Sequence, residues 1–120
     1  MRILLVDDDP EIQHVVAFAL SHQAGYDVVC AAAAADALAE ARRQRPGAIL
    51  LDVQLPDLDG PAFYAQLKAE PSLASVPVVF LTGAADGAAR DRLLALGARG
   101  VLAKPFDPLA LAGAVVELVG

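Results

Sequence analysis

Asp7, Asp8, Asp52, Thr82 and Lys104 each stand at the end of an apolar run, the runs covering residues 3–6, 48–51, 78–81 and 101–103. Brought together, three carboxylates, a hydroxyl and an ammonium could do one particular kind of chemistry. Close carboxylates repel, so either some of their pKa values rise or a cation enters. Mg²⁺ suits such a set, because it takes oxygen ligands in near-octahedral geometry and keeps several waters. Ca²⁺ suits it less, since the ligands are few and come from separate elements. A bound cation would let an anionic phosphodonor approach an anionic carboxylate and would shield charge on the transferred group. Asp52 is then the candidate nucleophile, as in enzymes that form aspartyl phosphates. Lys104 could pair with a phosphoryl oxygen as a point charge, and the Thr82 hydroxyl could donate to another.

The elements that must position these residues alternate strand and helix five times. After the strand at 3–6, Asp9-Pro10 supplies an N-cap and a proline for the first helical position. Ile12, Val15, Val16, Ala19 and Leu20 follow at helical spacing, and Gly25 ends that helix. A second strand is expected at 28–31 and an alanine-rich helix at 34–44, closed by Pro46-Gly47. The alanine run 31–35 is explained by helix propensity alone. The third strand, at 48–51, leads through a loop with Pro56 and Asp59-Gly60 into a helix at 61–69. Strands at 78–81 and 101–103 flank a helix at 87–96, and Asp107-Pro108 opens a last helix to about Val119. Repeated strand–helix units imply right-handed crossovers and an all-parallel sheet covered on both faces, a doubly wound α/β fold. In such sheets a site forms outside the carboxyl ends of the strands, where the five polar residues fall.

Composition narrows the class. The chain has 120 residues, which is the size of one domain, and a net charge of −6, which argues against autonomous nucleic-acid binding. No apolar run approaches a membrane span, and Met1-Arg2-Ile3 runs straight into a strand, so neither a membrane segment nor a signal peptide is expected. Cys30 is the single cysteine, which excludes an internal disulfide and suits a reducing cytoplasm; its place in a strand predicts a small core residue. Asp9 and Asp107 read as helix caps, and His14 and His22 as surface residues.

The motifs Leu4-Leu5-Val6-Asp7-Asp8-Asp9-Pro10, Leu51-Asp52-Val53-Gln54-Leu55-Pro56-Asp57-Leu58-Asp59-Gly60, Leu81-Thr82-Gly83 and Ala103-Lys104-Pro105-Phe106, in that order and spacing, carry a resemblance. The chain resembles the receiver domain of two-component response regulators over its whole length, residues 1–120. The resemblance implies a flavodoxin-like five-stranded parallel sheet in the order 2-1-3-4-5 with helices on both faces. It implies Asp52 as phosphoacceptor, with Asp8, Asp52 and the main-chain carbonyl of Gln54 as direct Mg²⁺ ligands and Asp7 acting through water. Thr82 would be the switch hydroxyl and Lys104 the phosphate-contacting lysine, with Lys104-Pro105 cis. The implied function is a cytoplasmic phosphorylation-controlled switch rather than an enzyme in its own right. A sensor histidine kinase or a histidine phosphotransfer protein would be the donor, and an output domain or protein would lie downstream.

Two positions depart from the family. The aromatic residue usual three positions before the lysine is Val101 here, so output is expected either to depend on the Thr82–Gly83–Ala84 loop and the fourth helix or to be weak. The last helix offers Leu109, Ala110, Gly113 and Val116 to its outer face, which suggests a dimer contact or a partner domain. Gln54 and Ala84 flank the site where the family varies most. Glu11, His14, Phe18 and Phe106 are the donor-contact candidates. Phe18 lies about 200° around the helix from Val16 and Leu20 and should point outward. Two other classes fit less well. An aspartyl-phosphate phosphatase would need an acid two positions after Asp52, where Gln54 stands. A flavin or nucleotide binder would need a glycine-rich loop after the first strand, where three aspartates stand instead.

Overall fold

A computed structural model describes residues 1–83 and 86–120; Ala84 lies outside the described residues. The order is β1 (Arg2–Val6), α1 (Pro10–Ala24), β2 (Asp27–Ala31), α2 (Ala34–Arg43), β3 (Ala48–Asp52), α3 (Gly60–Ala69), β4 (Val78–Thr82), α4 (Gly87–Ala95), β5 (Gly100–Ala103) and α5 (Pro108–Val119). The strands form one parallel sheet in the order β2-β1-β3-β4-β5, as the resemblance implied.

The period-two alternation of strand side chains divides the core in two. Ile3, Leu5, Leu50, Val79 and Leu81 pack with α1 and α5 on one face. Leu4, Val6, Ile49, Leu51, Phe80 and Val101 pack with α2, α3 and α4 on the other. The central strands β3 and β4 are buried at every position, as strands covered on both faces must be. In α2 the buried residues are all alanines, Ala34, Ala37 and Ala41, which let the helix lie close to the sheet.

Helix starts follow the expected local chemistry. Asp9, Asp59 and Asp107 each accept a main-chain N–H of the first turn, and proline stands in the first turn of α1, α3 and α5. Gly25 ends α1 in the left-handed conformation, at φ 68°. Helix α2 is the exception: Ala33 stands at its N-cap and has no side chain to offer.

Cys30 corrects an expectation. It is exposed rather than buried. Strand β2 is the sheet's edge, paired on one side only, and Val28 and Val29 are only partly covered. Apolar runs predict strands well, but they do not tell an edge strand from a central one.

Candidate phosphoryl and metal site

Strand register brings the candidate residues together. Val6 lies opposite Leu51, so Asp7 comes alongside Asp52. Asp52 lies opposite Leu81, one residue before Thr82, and Thr82 lies opposite Ala103, one residue before Lys104. Main-chain bonds extend the ladders beyond the last paired residues: Asp7 N–H to Ala31, Val53 N–H to Leu81 and Lys104 N–H to Thr82. Asp7, Asp52, Thr82 and Lys104 are therefore placed by sheet geometry, and Asp8 by the turn that follows β1.

The result is an open crevice of about 680 Å³ at the carboxyl edge of the sheet, lined among others by Asp7, Asp8, Asp52, Gln54, Thr82 and Lys104. One carboxylate oxygen from each of Asp7, Asp8 and Asp52 lies within 4.8 Å of the others. Asp7 is fully buried, Asp52 and Thr82 nearly so, and Asp8 faces solvent. The Lys104 ammonium donates to Asp7 Oδ2 at 2.6 Å and stands 3.4 Å from Asp52 Oδ2. The other Asp7 oxygen accepts the N–H of Asp9 at 2.9 Å, and Asp52 Oδ1 accepts the N–H of Gln54 at 3.2 Å. The Lys104-Pro105 bond is cis, as expected.

Burial, assisted by the charge of Asp7, lifts the Asp52 carboxyl above its ordinary pKa, against the opposing pull of the Gln54 N–H and Lys104. Burial pushes the Lys104 ammonium down, but the hydrogen bond and charge of Asp7, with those of Asp52, more than offset it and leave the pKa raised. The site thus holds its cation firmly charged while its central carboxylate gains from any further positive charge.

That pattern, with an all-oxygen donor set, fits a hard divalent cation. Asp8 and Asp52 would hold such a cation, which would screen the charge that the crowded carboxylates share.

Three contacts around the site carry no obvious sequence signal. The Gln13 amide donates to the Asp7 carbonyl at 2.6 Å and steadies the β1–α1 turn. Arg90, on α4, donates to the Val101 carbonyl of β5 at 3.0 Å. Asp57, in the loop after Asp52, accepts the N–H groups of Ala34 and Ala35 at 2.9 and 3.0 Å and so caps α2 from 22 residues away. Only this last contact had a readable hint, the alanine at the N-cap of α2.

Among the donor-contact candidates, Glu11, His14 and Phe18 are exposed. Phe18 is 57% exposed and stacks on His22, ring centroids 4.2 Å apart. Phe106 is partly buried against the α1–α5 core and is less available than its place in the motif suggested. On α5, Leu109 is 83% and Val116 42% exposed, so its outer face is apolar as expected. Val101 is buried.

The family model of the response regulator receiver domain matches residues 3–116. Protein Rrf1 of Nitratidesulfovibrio vulgaris is 38% identical over 110 residues, covering 92% of this chain and 76% of that protein. The transcriptional regulatory protein GltR of Pseudomonas aeruginosa is 37% identical over 117 residues, covering 98% of this chain and 48% of that protein. The chain spans about half the length of most of the curated relatives it matches. The chemotaxis response regulator CheY4 of Vibrio cholerae superposes with a TM-score of 0.90 at 32% identity, covering 98% of this chain and 97% of that one.

Proposed function

The chain belongs to the response regulator receiver domain family, and from that premise we propose that residues 1–120 form one Mg²⁺-assisted phosphoacceptor switch with Asp52 as the phosphorylated residue. The observation that carries this reading is the meeting of three carboxylate oxygens within 4.8 Å, with the Lys104 ammonium 3.4 Å from Asp52.

In the proposed transfer, an Asp52 oxygen forms a bond to phosphorus as the P–N bond of a donor phosphohistidine breaks. The bonding pair leaves with the imidazole, which takes up a proton. Mg²⁺, held by Asp8, Asp52 and the Gln54 carbonyl with Asp7 acting through water, would shield the charge of the phosphoryl oxygens. Asp7 keeps Lys104 charged and aimed at the Asp52 side of the crevice, where the ammonium can take a phosphoryl oxygen. The buried Thr82 hydroxyl donates to another. The domain promotes only its own phosphorylation and dephosphorylation.

Signal output follows as a population shift toward an arrangement of the Thr82 segment already visited without phosphate. Helix α4 is the element suited to respond, because Leu93 is its only buried residue and Arg90 ties it to Val101. Comparing backbone shifts with and without a phosphoryl mimic tests this; an unchanged Thr82 segment would sink it. The donor is a sensor histidine kinase or histidine phosphotransfer protein that meets Phe18 and its neighbours on α1. The apolar outer face of α5 serves a second copy or an output domain; light scattering across concentration, with and without phosphorylation, separates these. No described helix is long and apolar enough to cross a membrane.

The deciding experiment is intact-mass spectrometry after incubation with acetyl phosphate, with and without Mg²⁺, on the wild type and Asp52→Asn. A Mg²⁺-dependent gain of one phosphoryl group, absent in the variant, is expected. A gain at a matched rate by Asp52→Asn would show that the acceptor lies elsewhere.

A further inference from the structure

The loop from Val53 to Asp59 carries the Gln54 carbonyl, and it is pinned firmly at its feet. Val53 N–H donates to Leu81, Gly60 N–H returns to the Val53 carbonyl at 2.7 Å, and Gln54 N–H donates to Asp52. Between those feet Leu55 and Leu58 rest half-buried on the core. Among the described residues, the polar tie at the crest is Asp57, whose two carboxylate oxygens take the N–H groups of Ala34 and Ala35. Those donors are free to bind it because Ala33, in the extended conformation usual for an N-cap, brings no side-chain oxygen of its own. The N-terminal end of the α2 dipole adds to the attraction. The bonds are strong enough to hold the Asp57 carboxyl below its ordinary pKa.

We propose that Asp57 is a positioning residue for the metal site: by caping α2 across 22 residues it fixes the crest of the 53–59 loop and so the direction of the Gln54 carbonyl. The inference rests on the Mg²⁺-assisted reading above. Mg²⁺ tolerates little departure from octahedral geometry, so a loosened crest should cost affinity even when all three aspartates remain. The same contact makes α2 and the metal loop one unit, which a local cap on α2 would not do.

The test separates holding the loop from stabilising the helix. The full chain is compared as wild type, Asp57→Ala, Asp57→Asn, and Asp57→Ala combined with Ala33→Ser, which gives α2 a local cap. Mg²⁺ affinity is read by calorimetric titration, α2 integrity by amide exchange, and phosphorylation by acetyl phosphate at low and saturating Mg²⁺. Asp57→Ala is expected to raise the Mg²⁺ Kd about tenfold, the low end of what partners of metal ligands do. It should also speed exchange in the first turn of α2, while its phosphorylation rate recovers at saturating Mg²⁺. Asp57→Asn, with one acceptor oxygen left, should fall between. Ala33→Ser should restore exchange protection in α2 but not Mg²⁺ affinity. An unchanged Mg²⁺ Kd in Asp57→Ala overturns the inference, as does recovery of affinity along with the helix in the double variant. A wild type that neither binds Mg²⁺ nor gains a phosphoryl group overturns the underlying reading, and the inference with it.

Discussion

Gly60→Ala tests how tightly the site is built into the fold. A Cβ on Gly60 would lie 2.6 Å from the carbonyl oxygen of Asp52 and 2.8 Å from Cα of Val53. Ordinary contact begins near 3.4 Å, so main-chain atoms of the proposed phosphoacceptor or of α3 must give way by about 0.8 Å, and no flexible side chain is there to absorb it. Overpacking of this kind costs about 1–3 kcal/mol. The 2.7 Å bond from Gly60 N–H to Val53 is strained or lost with it, which adds about 1 kcal/mol. Alanine's better helix propensity returns less than about 1 kcal/mol at this first helical position. The net expectation is a loss of about 2–3 kcal/mol. Unfolding entropy near 2.1 cal/mol/K per residue makes 1 kcal/mol worth about 4 °C in a chain of this length, so Tm should fall by about 8–12 °C. Thermal melting by circular dichroism reads the stability, and intact-mass spectrometry with acetyl phosphate reads the chemistry below the melt. Because the atoms it presses on belong to Asp52 and Val53, phosphorylation should slow even where the variant is folded. A Tm within about 2 °C of the wild type with an unchanged phosphorylation rate would refute the reasoning, since α3 would then have moved aside without disturbing the site.

Gly113→Ala is the matching control. Its Cβ would meet nothing within 4 Å at an exposed position of α5, so it should raise stability by up to about 1 kcal/mol, and a lower Tm would contradict that. Asp57 gives a pH signature: its folded pKa is depressed, chiefly by the Ala34 and Ala35 N–H groups. The stability it contributes is thus complete above the unfolded aspartate value and is lost as pH falls through the lower folded value. Exchange in the first turn of α2 should accelerate across that acidic window in the wild type but not in Asp57→Asn, whose amide does not titrate. Lys104→Ala should still take a phosphoryl group from acetyl phosphate while losing most of the resulting backbone shifts around Thr82; a full response would remove Lys104 from the switch. Phe18→Ala should leave phosphorylation by acetyl phosphate unchanged and slow transfer from a histidine kinase; equal rates from both donors would clear Phe18 of a docking role.

Much of this was legible in the sequence because it is governed locally. Apolar runs marked all five strands, and Asp9-Pro10 and Asp107-Pro108 marked two helix starts, since capping depends on neighbours a few residues apart. The outward turn of Phe18 followed from helical period alone. Polar residues at strand ends also named the groups that meet in the crevice, because parallel strands in one sheet share a carboxyl edge.

The tertiary structure decided what depends on pairing partners far along the chain. The exposure of Cys30 comes from the edge position of β2, a matter of strand order that a four-residue apolar run does not encode. Phe106 turned partly into the α1–α5 core because those two helices share one face of the sheet. That Lys104 bridges Asp7 and Asp52 required the register of β1, β3, β4 and β5 together. That Asp57 caps α2 required the β3–α3 loop to arch over a helix start lacking a cap of its own. Sequence sets which groups want partners over a span of a few residues. Which group supplies the partner from 22 or 97 residues away is settled only when the sheet closes and the strand register brings the two ends together.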